Sequence, residues 1–284
     1  MHQSARRLLV ALSGVLTLCA AAPVLAQDDV LARIKSDKAI TIATEARYAP
    51  FEYVDNGKIV GYDADLMAYV LKSLPDVKVK QLDLPFQGLL PGLDAKRFDI
   101  VVTAVTVNKD RADHFAFTLP VADATTGVLL RANDTSIKTP NDLNGKIVGS
   151  QTGSAQLQAL VALDKKLKDA GGPGIKQIKQ YVAFDEAYAD LAVGRLDAVA
   201  QSVANLGPLM KSRPGVFTVL PQTIGPKSYF AWVARKDADS ASLVKFFSDG
   251  IARANKDGTM KKLQEKWFGS TMVVPADALP APTL

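Results

Sequence analysis

The sequence holds one cysteine, Cys19, and two histidines among 284 residues. Cys19 and His2 both fall in an N-terminal stretch that reads as a removable leader. The mature chain is then without any thiol, which excludes disulfides, a cysteine nucleophile and thiolate metal sites. Its one imidazole, His114, stands in DRADHFAF between a charged turn and an apolar segment, where a structural histidine is expected rather than a catalyst. No His/Asp/Glu group has metal-ligand spacing, G-x-S-x-G is missing, and GSQTGSAQ lacks the lysine of a phosphate loop. Neither cofactor, metal nor catalytic residue is expected. An excess of one charge is lacking too: losing Arg6 and Arg7 with the leader takes the formal net charge from +5 to +3, with lysines scattered. A solvated surface accounts for that, and nucleic acid is not an expected partner.

The leader covers residues 1–26. Arg6 and Arg7 precede an apolar run of about fifteen residues, short for spanning a membrane, and small residues lead to a boundary after Ala26. Leu18 occupies the place before Cys19 where a lipid-attachment signal wants a small residue, so cleavage and a periplasmic location are expected. About 258 residues remain, ample for one core or two.

Strands and helices alternate through them. AITIAT (39–44) is a short apolar run, and Asn56-Gly57 marks a hairpin, because both central residues of that turn need positive φ. Leu66, Met67, Val70, Leu71 and Leu74 fall at helical spacing before Pro75. VKVKQLDL alternates with period two, GLLPGLDAKR reads helical, and DIVVTAV is a buried strand; the β-α-β-α-β order implies a mostly parallel sheet covered by helices. A second unit repeats this: a strand at 146–149, the SQTGS loop, a helix ended by Gly171-Gly172, a helix expected to be capped at Asp185, and the strand of RLDAVAQS. KSYFAWVARK and two amphipathic helices follow, then a Pro- and Ala-rich tail expected to be loosely ordered.

Two α/β units suggest a cleft between them, and the residues there suit an anion. Thr103 and Thr106 end a buried strand, Arg111 follows five residues later, and Ser154 stands at a helix entry. Arginine grips a carboxylate through two parallel charge-assisted bonds, and a helix N-terminus adds free N–H groups.

YAPFEYVDNGKIVGYDADL, PFQGLLPGLDAKRFDIVVTAVTVNKDR, KIVGSQTGS, GRLDAVAQS and DGTMKKLQEKWFG together carry a resemblance. In this order they closely resemble the polar amino-acid-binding proteins of ABC importers, solute-binding proteins of family 3. The resemblance implies a type II bilobate periplasmic-binding-protein fold, two α/β lobes joined by two crossover strands near 122–130 and 228–234. The first lobe would comprise 27–124 and 229–284, the second 125–228, with the tail at 270–284. It further implies a monomeric, extracytoplasmic substrate-binding component that is not an enzyme, closes on an amino acid or related small carboxylate, and delivers it to a membrane permease. A secreted dehydratase of cyclohexadienyl type on the same fold is the alternative.

By the same resemblance Arg111 would clamp the ligand's α-carboxylate with Thr106 and Ser154 in support. Tyr48 and Phe86 would sandwich its side chain, Thr103 and the Ala104 carbonyl would face the α-amino group, and Glu45 would read the far end. One position departs. Five residues after Asp197, where these proteins usually carry an aspartate for the α-ammonium, stands Ser202, next to the equally neutral Gln201. A desolvated ammonium without a counter-ion costs several kcal/mol. Three readings stay open: Glu45 takes over the ammonium, the ligand has no free α-amine, or neutral groups near Ser202 accept a weakly basic nitrogen.

Overall fold

The structure, a computed structural model, describes residues 29–282; the leader expected at 1–26 lies outside them. The first element, α1 (Val30–Asp37), is capped by Asp29, whose carboxylate accepts the Ala32 N–H at 2.7 Å. Next come β1 (Ala39–Thr44) and a three-stranded meander of β2 (Arg47–Tyr48), β3 (Glu52–Asp55) and β4 (Lys58–Val60). Asn56 and Gly57 join β3 to β4 with φ of 47° and 74°, as the hairpin reading requires. Gly61 then turns the chain into α2 (Tyr62–Leu71) at φ 133°; a Cβ there would stand 2.2 Å from the Phe51 carbonyl oxygen. Only glycine fits that approach.

The first lobe continues through β5 (Lys78–Asp83), α3 (Phe86–Asp94), β6 (Ile100–Thr106), α4 (Lys109–His114), β7 (Phe115–Phe117) and β8 (Ala122–Asp123). The second contains β9 (Thr126–Arg131), β10 (Ile147–Gln151), α5 (Ala155–Asp169), β11 (Gln177–Tyr181), α6 (Phe184–Ala192), β12 (Ala198–Ser202), α7 (Val203–Ser212) and β13 (Phe217–Val219). The chain then returns to the first lobe with β14 (Tyr229–Arg235), α8 (Ala241–Lys256) and α9 (Thr259–Phe268).

One sheet has the order β5-β1-β6-β14-β7 with β8 on β14, the other β11-β10-β12-β9-β13. In the first, β1 runs parallel to both β5 and β6; in the second, β10 runs parallel to both β11 and β12; the pairs through β14 and β9 are antiparallel, so each sheet is mixed rather than mostly parallel. β1 and β10 thus each lie between two strands that the chain reaches through helices. The crevice beyond their C-terminal ends is where open α/β sheets hold ligands.

Two crossovers link the sheets. The chain passes from Asp123, paired with Tyr229, to Thr126, paired with Ser202, and it comes back from Ile224, bridged to Thr126, to Tyr229. The crossing segments bind each other: Ala124 N–H donates to the Ser228 carbonyl at 2.9 Å and Ser228 N–H to Thr125 Oγ1 at 3.4 Å. The fold is the bilobate one that the resemblance implied.

The largest buried cluster is continuous across the lobes. Tyr48 stacks on Phe51 with centroids 5.6 Å apart, meets Phe230 edge-on at 6.3 Å, and touches Phe184 of the second lobe at 5.7 Å. Trp232, at 0% exposure, packs beneath against Phe247. Beyond α9 the described tail has no helix or strand, yet Met272 N–H donates to Gln264 Oε1 at 2.8 Å and Leu279 packs on the apolar cluster around α3.

One local expectation fails. The N-cap of α6 is Ala183, with no side-chain cap, and Asp185 sits inside the first turn. Its carboxylate accepts both Arg47 from the other lobe and the neighbouring Glu186 N–H, so it serves the seam rather than the helix end.

Candidate functional site

The residues expected at the cleft come from strands of the sheets, or from just past them, and from the helices that follow. Glu45 stands one position past β1, Tyr48 ends β2, Phe86 opens α3, and Thr103, Ala104 and Thr106 lie on β6. Arg111 lies in α4, Ser154 caps α5, and Gln201 and Ser202 end β12. All ten are at most 8% exposed. The lobes are shut on one another.

Arg111 sets the electrostatics at one end. Its amide donates to Asn108 Oδ1 at 3.0 Å, which fixes the first turn of α4, and its guanidinium lies 5.4 Å over the Phe86 ring. Nη1 donates to the Thr106 carbonyl and Nη2 to the Gly153 carbonyl across the seam, each at 2.9 Å. Among the described residues none forms an ion pair with it. Burial lowers its pKa to about 10, so it is still charged at neutral pH. A buried cation that meets an aromatic ring and carbonyl dipoles but no carboxylate is a site for an anion. Close by, Ser154 Oγ accepts the Leu157 N–H at 3.0 Å at the head of α5 and donates to the Gln151 carbonyl at 2.8 Å.

Glu45 stands in another part of the cleft. Gln151 Nε2, from the second lobe, donates to its Oε1 at 2.5 Å and to the Val182 carbonyl at 3.0 Å. Burial, the largest influence, raises the Glu45 pKa to about 8, so the carboxyl is mainly neutral at pH 7. Two more carboxyls, Glu52 and Asp63, are also buried in this lobe; burial raises both, Asp63 to about 7.

The wall at Ser202 is neutral. Tyr48 Oη donates to Gln201 Oε1 at 3.0 Å, Gln201 Nε2 donates to Tyr188 Oη at 2.7 Å, and Ser202 N–H also meets Gln201 Oε1 at 2.6 Å. Ser202 Oγ donates to Asn205 Oδ1 at 2.5 Å, and Asn205 Nδ2 reaches the Ala49 carbonyl of the first lobe at 2.9 Å. No carboxylate takes part in these bonds. Tyr48 and Phe86 form no ring contact with each other among the described residues; Tyr48 leans on Phe184 and Phe86 on Arg111.

Reading the sequence missed Gln151 and Asn205, whose bonds to Glu45 and Ala49 cross the seam, and Tyr188, which holds Gln201 within the second lobe. Gln151 is the glutamine of SQTGS and the last residue of β10, and its place three residues before Ser154 was the available signal. Asn205 lies in α7, one turn past Ser202, at helical spacing. An outer clasp was missed as well: Arg47 Nη2 meets both Asp185 oxygens at 2.9 Å and Glu186 Oε1 at 3.1 Å. Elsewhere His114 is exposed, no group of described residues could hold a metal ion, and no described helix is long and apolar enough to cross a membrane.

The model of the bacterial extracellular solute-binding proteins, family 3, matches residues 40–270, which include every one of these site residues. The chain belongs to that family. Among its relatives is the probable amino-acid-binding protein YxeM of Bacillus subtilis (strain 168), 31% identical over 244 residues, 84% of this chain and 88% of that protein. An ancestral arginine-binding protein bound to arginine superposes with TM-score 0.71 at 32% identity, over 82% of this chain and 99% of the other. The ancestral amino acid-binding protein AncCDT-1, described as a precursor of cyclohexadienyl dehydratase, gives TM-score 0.72 at 27% identity over 84% and 99%. The family-3 fold therefore covers nearly all of the described chain.

Proposed function

We propose that this chain is the periplasmic substrate-binding component of an ABC importer, holding an amino acid or closely related small carboxylate between its lobes and handing it to a membrane permease. The observation that carries the reading is Arg111, a buried guanidinium that touches both lobes and has no carboxylate partner among the described residues. A ligand carboxylate replaces the two carbonyl contacts, Thr106 and Ser154 support it, and Tyr48 and Phe86 supply the apolar walls. Glu45, Thr103 and Ala104 meet the rest of the molecule, with Gln201 and Ser202 as its neutral neighbours. Relatives named for amino-acid binding support the ligand class. The moving bodies are residues 27–124 with 229–284 and residues 125–228, and the protein acts as a monomer.

The work done is closure. A ligand shuts the lobes by binding the closed form better than the open one, and a shift from 1:99 to 99:1 needs about 5.5 kcal/mol of difference. A mass spectrum of small molecules released on denaturing the purified protein tests the reading. A carboxylate-bearing solute supports it, and a solute without any acid group contradicts it.

A second reading rests on Glu45, whose carboxyl is mainly protonated at neutral pH and could act as a general acid. Together with the likeness to AncCDT-1, this supports a dehydratase acting on a prephenate-type acid, which has no α-amine. Product formation from prephenate or arogenate would establish it; turnover of neither leaves the transport reading.

A further inference from the structure

A cavity of about 420 Å³ opens at the seam, and the reading of the cleft uses little of it. The first lobe supplies the turn from Arg47 to Pro50, with Tyr53 and Trp267; the second supplies Phe184 and Tyr188 of α6 and the end of α7 through Arg213. Each lobe contributes an aromatic pair. Tyr53 and Trp267 meet edge to face with centroids 6.2 Å apart, and the Trp267 indole is held by its N–H donating to Asp65 Oδ2 at 2.8 Å. Phe184 and Tyr188 stack at 6.2 Å with 21° between their planes.

The charges around this cavity are not equivalent. Arg47 is bound to Asp185 and Glu186, one cation between two carboxylates, so this clasp carries a net negative charge and has no cation to spare for an acid. Arg213 is exposed, and among the described residues none forms an ion pair with it. Burial holds the neighbouring Tyr188 phenol well above its ordinary value, and the Arg213 charge offsets only a small part of that.

The geometry points to a second binding site in this seam for a small aromatic carboxylate, its ring between the two aromatic pairs and its acid on Arg213. Aromatic rings gain from stacked and edge-on contact beyond the area they bury, and arginine pairs with carboxylates bidentately. The volume lies in the range of small-molecule sites. Because the walls come from both lobes, an acid bound here favours the shut form, and by linkage it tightens whatever the main cleft holds. The site stands apart from the identity of that ligand.

Phenylacetate, with cyclohexylacetate as its saturated counterpart, provides the test. Titrated into the mature chain, each is followed by tryptophan fluorescence, to which Trp267 is the cavity's own reporter while Trp232 is fully buried. Phenylacetate gives a saturable change that survives Arg111→Ala and weakens about tenfold or more in Arg213→Ala, whose exposed side chain can be removed without loss of the fold. Cyclohexylacetate binds more weakly. A wild-type chain with no saturable response overturns the proposal. So does a response that is lost in Arg111→Ala and kept in Arg213→Ala, because it places the acid in the main cleft.

Discussion

Gln151 and Glu45, 106 residues apart in the chain, are joined across the lobes by a 2.5 Å hydrogen bond that exists only while the cleft is shut. Opening returns Glu45 to water and to the ordinary carboxylate value of 4.5, whereas burial holds it near 8 in the shut form. The shut form therefore binds more protons between these values. Closure of the empty protein is strongest below about pH 4.5 and weakens as pH rises to about 8, by at most about 1.4 kcal/mol per pH unit. The groups acting on Glu45 are Gln151, Arg47, Asp83 and Asp185. Glu45→Gln flattens the dependence in that window, as read from the distance between labels on the two lobes at pH 5 and pH 8.

Arg111→Ala separates binding from folding. The guanidinium is desolvated and has only carbonyl partners, so its removal relieves a burial cost even as it breaks two hydrogen bonds. The apo melting temperature stays within a few degrees of wild type, while the ligand-dependent rise in melting temperature disappears. Thermal unfolding with and without ligand checks both; an undiminished ligand shift rules out the clamp.

Ser202→Asp discriminates among the readings of the neutral wall. In the empty protein it puts a carboxylate against Asn205 and Gln201 without a cation, at a cost of about 1–3 kcal/mol. If the natural ligand carries a free ammonium, the variant binds it about tenfold or more tightly. If the natural ligand has no amine, the variant binds it more weakly. Calorimetry on the natural ligand reads the sign directly.

Much of the fold was legible because its signals are local. AITIAT coincides with β1, the Asn56-Gly57 turn joins β3 to β4, and the Thr103–Arg111 spacing places a strand end beside a short helix. Partners fixed only by closure were not legible: Tyr48 meets Gln201 across 153 residues, and Asp185 looked like a helix cap until Arg47 arrived from the other lobe. The order of segments carried the family, but the Gln201–Tyr188 pair depends on how α6 packs against β12 in space.

Gly61→Ala tests the support of Tyr48. The added methyl meets the Phe51 carbonyl oxygen at 2.2 Å at a φ of 133°, with backbone on the other side of the clash, so the meander carrying Tyr48 must shift. A loss of about 2 kcal/mol or more is expected, read as a lower denaturant midpoint at unchanged slope.

The central claim is that Arg111 holds the acid of a small solute between the lobes. Calorimetric titration of the chain from residue 27 with non-aromatic amino acids and their deaminated counterparts, repeated with Arg111→Ala, tests it most directly. The account predicts that at least one of these acids binds at one per chain and that Arg111→Ala abolishes the heat. Binding of none of them to the wild-type chain, or undiminished binding to the variant, would contradict it.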